Sequence, residues 1–174
     1  MKIIMIYDQI QAGAGTKDDK MVPIAGKKAA LGPAVMMEPF LKDVDGHIIA
    51  CLYCGTGTFN EDPETISRKF CAMTKKMGAD IAICGPCFNY KEYAPMAARI
   101  AKDMNETTDI PAICAMSEEM SDVIAQYQDS IPIVKMPKKG GTGLNEALRN
   151  ILKVAKQIVE KGDMETIKEQ YCYH

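Results

Sequence analysis

Cys51-Leu-Tyr-Cys54 and Cys84-Gly-Pro-Cys87 give this 174-residue chain two Cys-x-x-Cys pairs. Thiols at that spacing suit dithiol exchange when a helix N-terminus stabilises the first thiolate, or they supply half of a tetrahedral zinc site. Cys84-Gly-Pro-Cys87 is spelled like the thioredoxin dithiol, after an apolar run and before a helical pattern. It stands third in strand order, however, and no thioredoxin-like cis-proline loop can be placed. Zinc is disfavoured because 29 residues separate Cys54 from Cys84. Cys51 and Cys54 fall in a strand pattern, where i and i+3 point to opposite faces. Cys71 and Cys114 read as core, and the only histidines, His47 and His174, make no Cys–His pair. Cys84 and Cys87 stand as candidate catalytic thiols, and no metal site is expected.

The apolar runs that carry these pairs share a second feature. Each ends in Cys-Gly and leads within a few residues to Phe-Asn, at Phe59-Asn60 and Phe88-Asn89. Small residues let backbone N–H groups approach a ligand, and an aromatic ring gives it a wall. Asn orients a polar group or simply caps the next helix. The repeat predicts two neighbouring walls of one crevice. Gly55, Thr56, Gly57, Thr58, Phe59 and Asn60 make the first, with the threonine hydroxyls meeting a carboxylate. Gly85, Phe88, Asn89 and Tyr90 make the second, with Lys91 at the rim. Gln9, Gly13 and Gly15 after the first apolar run, Glu118 after the fourth, and Thr142 and Gly143 at the start of the last helix complete the candidate substrate-binding set. The turn before that helix offers free N–H groups to an anion. It lacks the Walker Gly-Lys-Ser/Thr and the full dinucleotide fingerprint.

Five apolar runs, at 2–8, 48–54, 80–85, 111–117 and 131–136, must position these loops. The inner three are apolar at almost every position, as strands buried on both faces of a helix-covered parallel sheet are. Helical patterns fill the gaps at 32–43, 62–78, 90–106, 118–128 and 143–162, the first short or kinked because of Pro39. The second is the best signposted. Asp62 caps it, Pro63 opens it, Lys75 and Lys76 fill its last turn, and Gly78 stops it. The alternation predicts a single α/β domain over 1–174, a three-layer doubly wound sandwich. Its mainly parallel five-stranded sheet is flavodoxin-like in the broad sense. Ligands of such sheets bind beyond the carboxyl ends of the strands, beside a topological switch point. Residues 10–31 are polar, Gly-rich and without period, which predicts an irregular functional loop reaching the crevice or a subunit interface. Residues 163–174 are expected to pack or fray as a tail.

The remaining features narrow the class. Apolar residues make up 47% of the chain and charged ones 25%, with a formal net charge of −2, an ordinary globular balance. Interspersed signs without a basic stripe argue against nucleic acid or a membrane surface as partner. No apolar run approaches the roughly eighteen residues of a membrane span. The amino terminus reads as a first strand, with no signal-peptide pattern, so a cytoplasmic protein with reduced thiols is expected. Thirteen Met, seven Cys and no Trp suit a reducing, anaerobic setting.

The segments IYDQIQAGAG (6–15), LGPA (31–34), CGTGTFNED (54–62), CGPCFNYKEY (84–93) and DIPAICAMSEE (109–119) together resemble a known family. They follow the order and spacing of the amino-terminal part of the substrate-specific selenoprotein B subunit of the glycine, sarcosine and betaine reductases. The resemblance implies reductive C–N cleavage of a small amino-acid-like or amine substrate, with the carboxymethyl group passing through a selenocysteine to a small selenoprotein. Family members are much longer, and their selenocysteine lies in a carboxyl-terminal half that this chain does not have. The family pattern also has an acidic residue at Thr56 and small apolar residues at Cys84 and Cys87. The expectation is a split amino-terminal subunit that binds substrate, with no cofactor of its own. Other reductase subunits and a selenocysteine-bearing partner are implied by the resemblance, and a homo-oligomer is expected. The alternatives are a small thiol oxidoreductase using Cys84 and Cys87, and a non-catalytic interaction subunit.

Overall fold

The computed structural model describes residues 1–174. Strand β1 (Lys2–Tyr7) lies inside a sheet completed by β2 (Ala25–Lys27), β3 (His47–Tyr53), β4 (Ile81–Cys87), β5 (Ala112–Ser117) and β6 (Ile133–Met136). The order is β2-β3-β1-β4-β5-β6. All neighbours pair in parallel except β2, which runs antiparallel to β3 and sets Ala25 opposite Tyr53. The five apolar runs became the five parallel strands of an α/β sandwich. The sixth strand corrects the expected count; Ala-Gly-Lys lacks the β-branched and aromatic residues that mark a strand.

Alternation along β1 sends Ile3, Met5 and Tyr7 into one core and Ile4 and Ile6 into the other, all fully buried. Helix α1 (Pro33–Met37), a 3₁₀ turn over Glu38–Val44 and the long helix α6 (Leu144–Val159) cover the first face. Helices α3 (Pro63–Lys76), α4 (Tyr93–Thr107) and α5 (Ser121–Tyr127) cover the second. Two helices were not foreseen: α2 (Thr56–Glu61), in place of the first predicted crevice loop, and α7 (Met164–Tyr171) in the tail. After α7 the tail packs on β6, where Cys172 bridges Val134 and the Tyr173 N–H donates to the Ile133 carbonyl at 2.9 Å. No helix is long and apolar enough to cross a membrane.

Helix α3 starts where its sequence says. The Asp62 carboxylate accepts the Thr65 N–H at 3.1 Å and Pro63 occupies the first turn. Asp62→Ala is expected to lower the urea midpoint, because the Thr65 N–H loses its capping acceptor. An unchanged midpoint would show that packing alone sets this boundary.

The connectivity places the switch point. From β1 the chain moves to β3 on one side, then crosses to β4 on the other, so the loops after β1 and β4 diverge between those two strands. β4 also carries an irregularity between Cys84 and Cys87. Gly85 there has φ 139°, and a Cβ on it would lie 2.7 Å from the Ala115 carbonyl, so only glycine fits. This bulge puts Cys84 and Cys87 into the same core, whereas Cys51 and Cys54 fall on opposite faces.

Candidate functional site

The residue that closes β1, Asp8, is fully buried. One carboxyl oxygen accepts the Gln11 N–H at 2.8 Å, while Oδ2 has no hydrogen-bond partner. Burial raises its pKa from 3.8 to about 6, and N–H groups of the following turn recover only part of the cost. Its carboxyl faces a set of weak acids. Burial first, and then the Asp8 charge, push the Cys54 thiol up to about 12 and hold the Cys87 thiol well above its ordinary range. The Tyr93 hydroxyl, also raised by burial, donates to the Ile6 carbonyl at 2.5 Å. A carboxyl poised near neutrality at a strand end can hold or release a proton.

Gln9 follows and joins two sides of the crevice. Its buried amide accepts the Thr56 N–H at 3.1 Å and donates to the Thr16 carbonyl at 3.3 Å. Thr56 opens α2, and its buried hydroxyl donates to Glu92 Oε2 at 3.0 Å. The Tyr90 hydroxyl donates to the same oxygen at 3.0 Å and lies 3.2 Å from Thr56 Oγ1. Glu92 Oε1 receives the Lys20 ammonium at 2.6 Å. Lys20 above all, then the Thr56 hydroxyl, hold the Glu92 carboxyl below its ordinary value.

Lys20 belongs to a strap, residues 16–22, that lies over these strand ends. The strap is fixed to α2 by three hydrogen bonds: Gly55 N–H to Val22 O at 2.8 Å, Thr58 N–H to Lys20 O at 3.0 Å, and Thr58 Oγ1 to Val22 O at 2.9 Å. The 10–31 segment is thus irregular except for the short β2 near its end, and Lys20 within it reaches across to Glu92.

The structure brings together part of the predicted set. Gln9, Thr56 and Tyr90 meet directly, while Gly55, Gly57 and Thr58 seat the strap. Gly13 and Gly15 lie in the turns between Gln9 and the strap. Phe59 does not wall the crevice; the helical turn of α2 carries it into the core, 4% exposed. The Thr58 hydroxyl is committed to Val22 O, and Asn60 is exposed on α2. Phe88 packs toward the opposite core, and Asn89 and Lys91 are exposed beside Tyr90. Glu118, Thr142 and Gly143 follow β5 and β6, two and three strands from β1, and share no hydrogen bond with this group. Glu118 instead pairs with Lys138 at 3.0 Å. Cys84 and Cys87 lie within β4, fully buried, at no helix N-terminus, and burial raises both thiols well above the ordinary value. This environment suppresses the thiolate that dithiol exchange needs.

Sequence reasoning missed Asp8, Lys20, Glu92 and Tyr93. Asp8 carried a signal, a lone carboxylate ending an apolar strand; Lys20 and Glu92 carried none. No three His, Cys, Asp or Glu side chains converge as metal ligands would. A cavity of about 530 Å³ lies apart, between α3 and α4. Four of its five charged side chains pair, Arg68 with Glu64 and Arg99 with Asp103, and Lys75 stands outside these pairs.

The chain matches the family described as glycine/sarcosine/betaine reductase selenoprotein B over residues 1–174. It is 27% identical over 169 residues to the sarcosine reductase complex component B subunit beta of Peptoclostridium acidaminophilum, covering 96% of this chain and 37% of the relative. It is 26% identical over 156 residues to the glycine reductase complex component B subunit gamma of Peptoclostridium litorale, covering 89% of this chain and 35% of the relative. The corresponding gamma subunit of Symbiobacterium thermophilum is 26% identical over 116 residues, covering 67% of this chain and 27% of the relative. The chain therefore spans about a third of the length of these curated relatives. No solved structure matches it. The match along its whole length makes this chain a member of the glycine/sarcosine/betaine reductase selenoprotein B family.

Proposed function

We propose that this chain is a substrate-binding subunit of a reductase complex of this family, taking a small amino-acid-like or amine substrate into the crevice between β1 and β4. The observation that carries the reading is the convergence of Gln9, Thr56, Tyr90 and Glu92 beside the end of β1, in a chain of this family. A carboxylate held ionised, Glu92, adjoins hydroxyl and amide groups of the kind that orient a zwitterion, and a second carboxyl, Asp8, shifted toward neutrality, ends the neighbouring strand. Likeness to the family supports assigning the reductive C–N cleavage to a selenocysteine outside these residues. This chain's part is to hold and orient the substrate.

Calorimetric titration with glycine, sarcosine and betaine tests the substrate half of this reading. At least one should bind, and Thr56→Val and Tyr90→Phe should each weaken it about tenfold, the loss of one hydrogen bond to a charged group. Absence of binding by all three to the folded parent protein would overturn it.

A further inference from the structure

Glu92 is a carboxylate already satisfied by a cation, and that cation comes from the chain itself. Lys20 Nζ lies 2.6 Å from Oε1, while the Thr56 and Tyr90 hydroxyls both donate to Oε2 at 3.0 Å. With their protons committed to Glu92, the two hydroxyl oxygens keep lone pairs free to accept from an ammonium N–H. Thr56 is fully buried, so this polar group is built into the fold and is not a chance surface pairing. The fully buried Asp8, with its unpartnered Oδ2, lies at the same switch point.

Lys20 is not needed to hold its own segment in place. The strap is already fixed to α2 by the three hydrogen bonds from Gly55 and Thr58. The Lys20 and Glu92 side chains are 43% and 40% exposed, and an ion pair so open to water contributes little to stability. It can nevertheless block a site, because a competing ammonium must displace it.

The geometry points to the Glu92 carboxylate, with the Thr56 and Tyr90 hydroxyls, as a site for a small ammonium ligand that keeps at least one N–H, occupied here by the chain's own Lys20. A ligand amine enters by replacing the Lys20 ammonium, whose half-exposed side chain swings into water while its main chain stays on α2. The apparent affinity of the site is then reduced by the fraction of molecules in which Lys20 is seated. This rests on the crevice as the ligand site, and it adds which group of the ligand is recognised and what stands in its way.

The test is a titration of the ¹⁵N-labelled parent protein with methylammonium chloride at constant ionic strength. The signals followed are the Gly55 and Thr58 amides, which donate to the strap carbonyls. These signals should move saturably with methylammonium and not with sodium chloride or tetramethylammonium chloride. In Lys20→Met the midpoint should fall about fivefold, since the internal competitor is gone. In Glu92→Gln the response should vanish while the rest of the spectrum stays that of the parent. A midpoint in Lys20→Met equal to or above the parent's overturns the proposal, as does a lack of response in both proteins. An equal response to tetramethylammonium overturns the N–H requirement. If glycine, sarcosine and betaine fail to bind while methylammonium responds as described, the substrate reading falls and the ammonium site stands.

Discussion

Asp8→Asn is expected to become more stable relative to the parent by about 3 kcal/mol as the pH rises from 3.5 to 7. The sign is opposite to that of most carboxylates. Burial raises the folded-state pKa of Asp8 from 3.8 to about 6, so the native protein binds this proton more tightly than the unfolded chain does. The resulting stabilisation is complete below the unfolded value and is lost as the pH passes through the folded one. A difference of about two pKa units corresponds to about 3 kcal/mol. Glu92 behaves in the opposite way, since its lowered pKa contributes stability above the ordinary carboxylate range and loses it on acidification. That contribution is common to both proteins and cancels in their difference. Urea unfolding of the pair across this range measures the effect. A stability difference independent of pH would mean that Asp8 titrates like an exposed carboxylate.

Gly55→Ala should release the strap. Gly55 has φ −69° and ψ 147°, a conformation open to any residue, so the substitution strains nothing in its own backbone. The added carbon, however, would fall 2.0 Å from the Lys20 carbonyl oxygen and 2.7 Å from the Val22 nitrogen. Both are main-chain atoms that cannot rotate aside. The strap must move off α2, which breaks the Gly55–Val22 and Thr58–Lys20 hydrogen bonds. The expected loss is about 2–3 kcal/mol of stability, from overpacking and the lost bonds. Trypsin cleavage after Lys17 and Lys20 should accelerate about tenfold, because local opening exposes that segment. Parent-like stability and cleavage would show that the strap yields without leaving its seat.

How much of this was legible in the sequence follows from what each residue contributes locally. Helix α3 was readable end to end because Asp62, Pro63, Lys75, Lys76 and Gly78 each satisfy a requirement of a helix terminus. The parallel strands were readable because burial on both faces leaves a continuous apolar run. Strand β2 was not, since Ala25-Gly26-Lys27 pairs only because β3 presents an open edge. Helix α2 was hidden for a related reason. Thr-Gly-Thr-Phe-Asn has poor helix propensity, and burial of Phe59 with attachment to the strap outweighs it. That helical turn also explains why Phe59 left the crevice while Thr56 stayed. The doubled Cys-Gly edge singled out Thr56 and Tyr90, and the loop after the first strand Gln9, three residues that the structure brings together. It missed the carboxyl groups, because Glu92 acquires its environment from Lys20 and Thr56, 72 and 36 positions away, and Asp8 is surrounded by Cys54 and Cys87 from other strands. The thiols misled for the opposite reason: their spacing is visible in sequence, and the burial that raises them is not.

The two borders of the sheet limit how any other chain can join it. Along one, β3 is closed by β2, whose three residues are too few to template a long pairing and end in Lys27, followed by Lys28. Along the other, the carboxyl-terminal residues lie against β6, with Cys172 opposite Val134 and the Tyr173 N–H on the Ile133 carbonyl. Strand addition, by which many assemblies extend a sheet from one molecule into the next, finds little free backbone at either side. Assembly of this chain with others is therefore steered to side-chain surfaces, the outer faces of the helices and the ends of the strands. The exposed Met21, Val35 and Met36 are its most conspicuous uncovered apolar side chains.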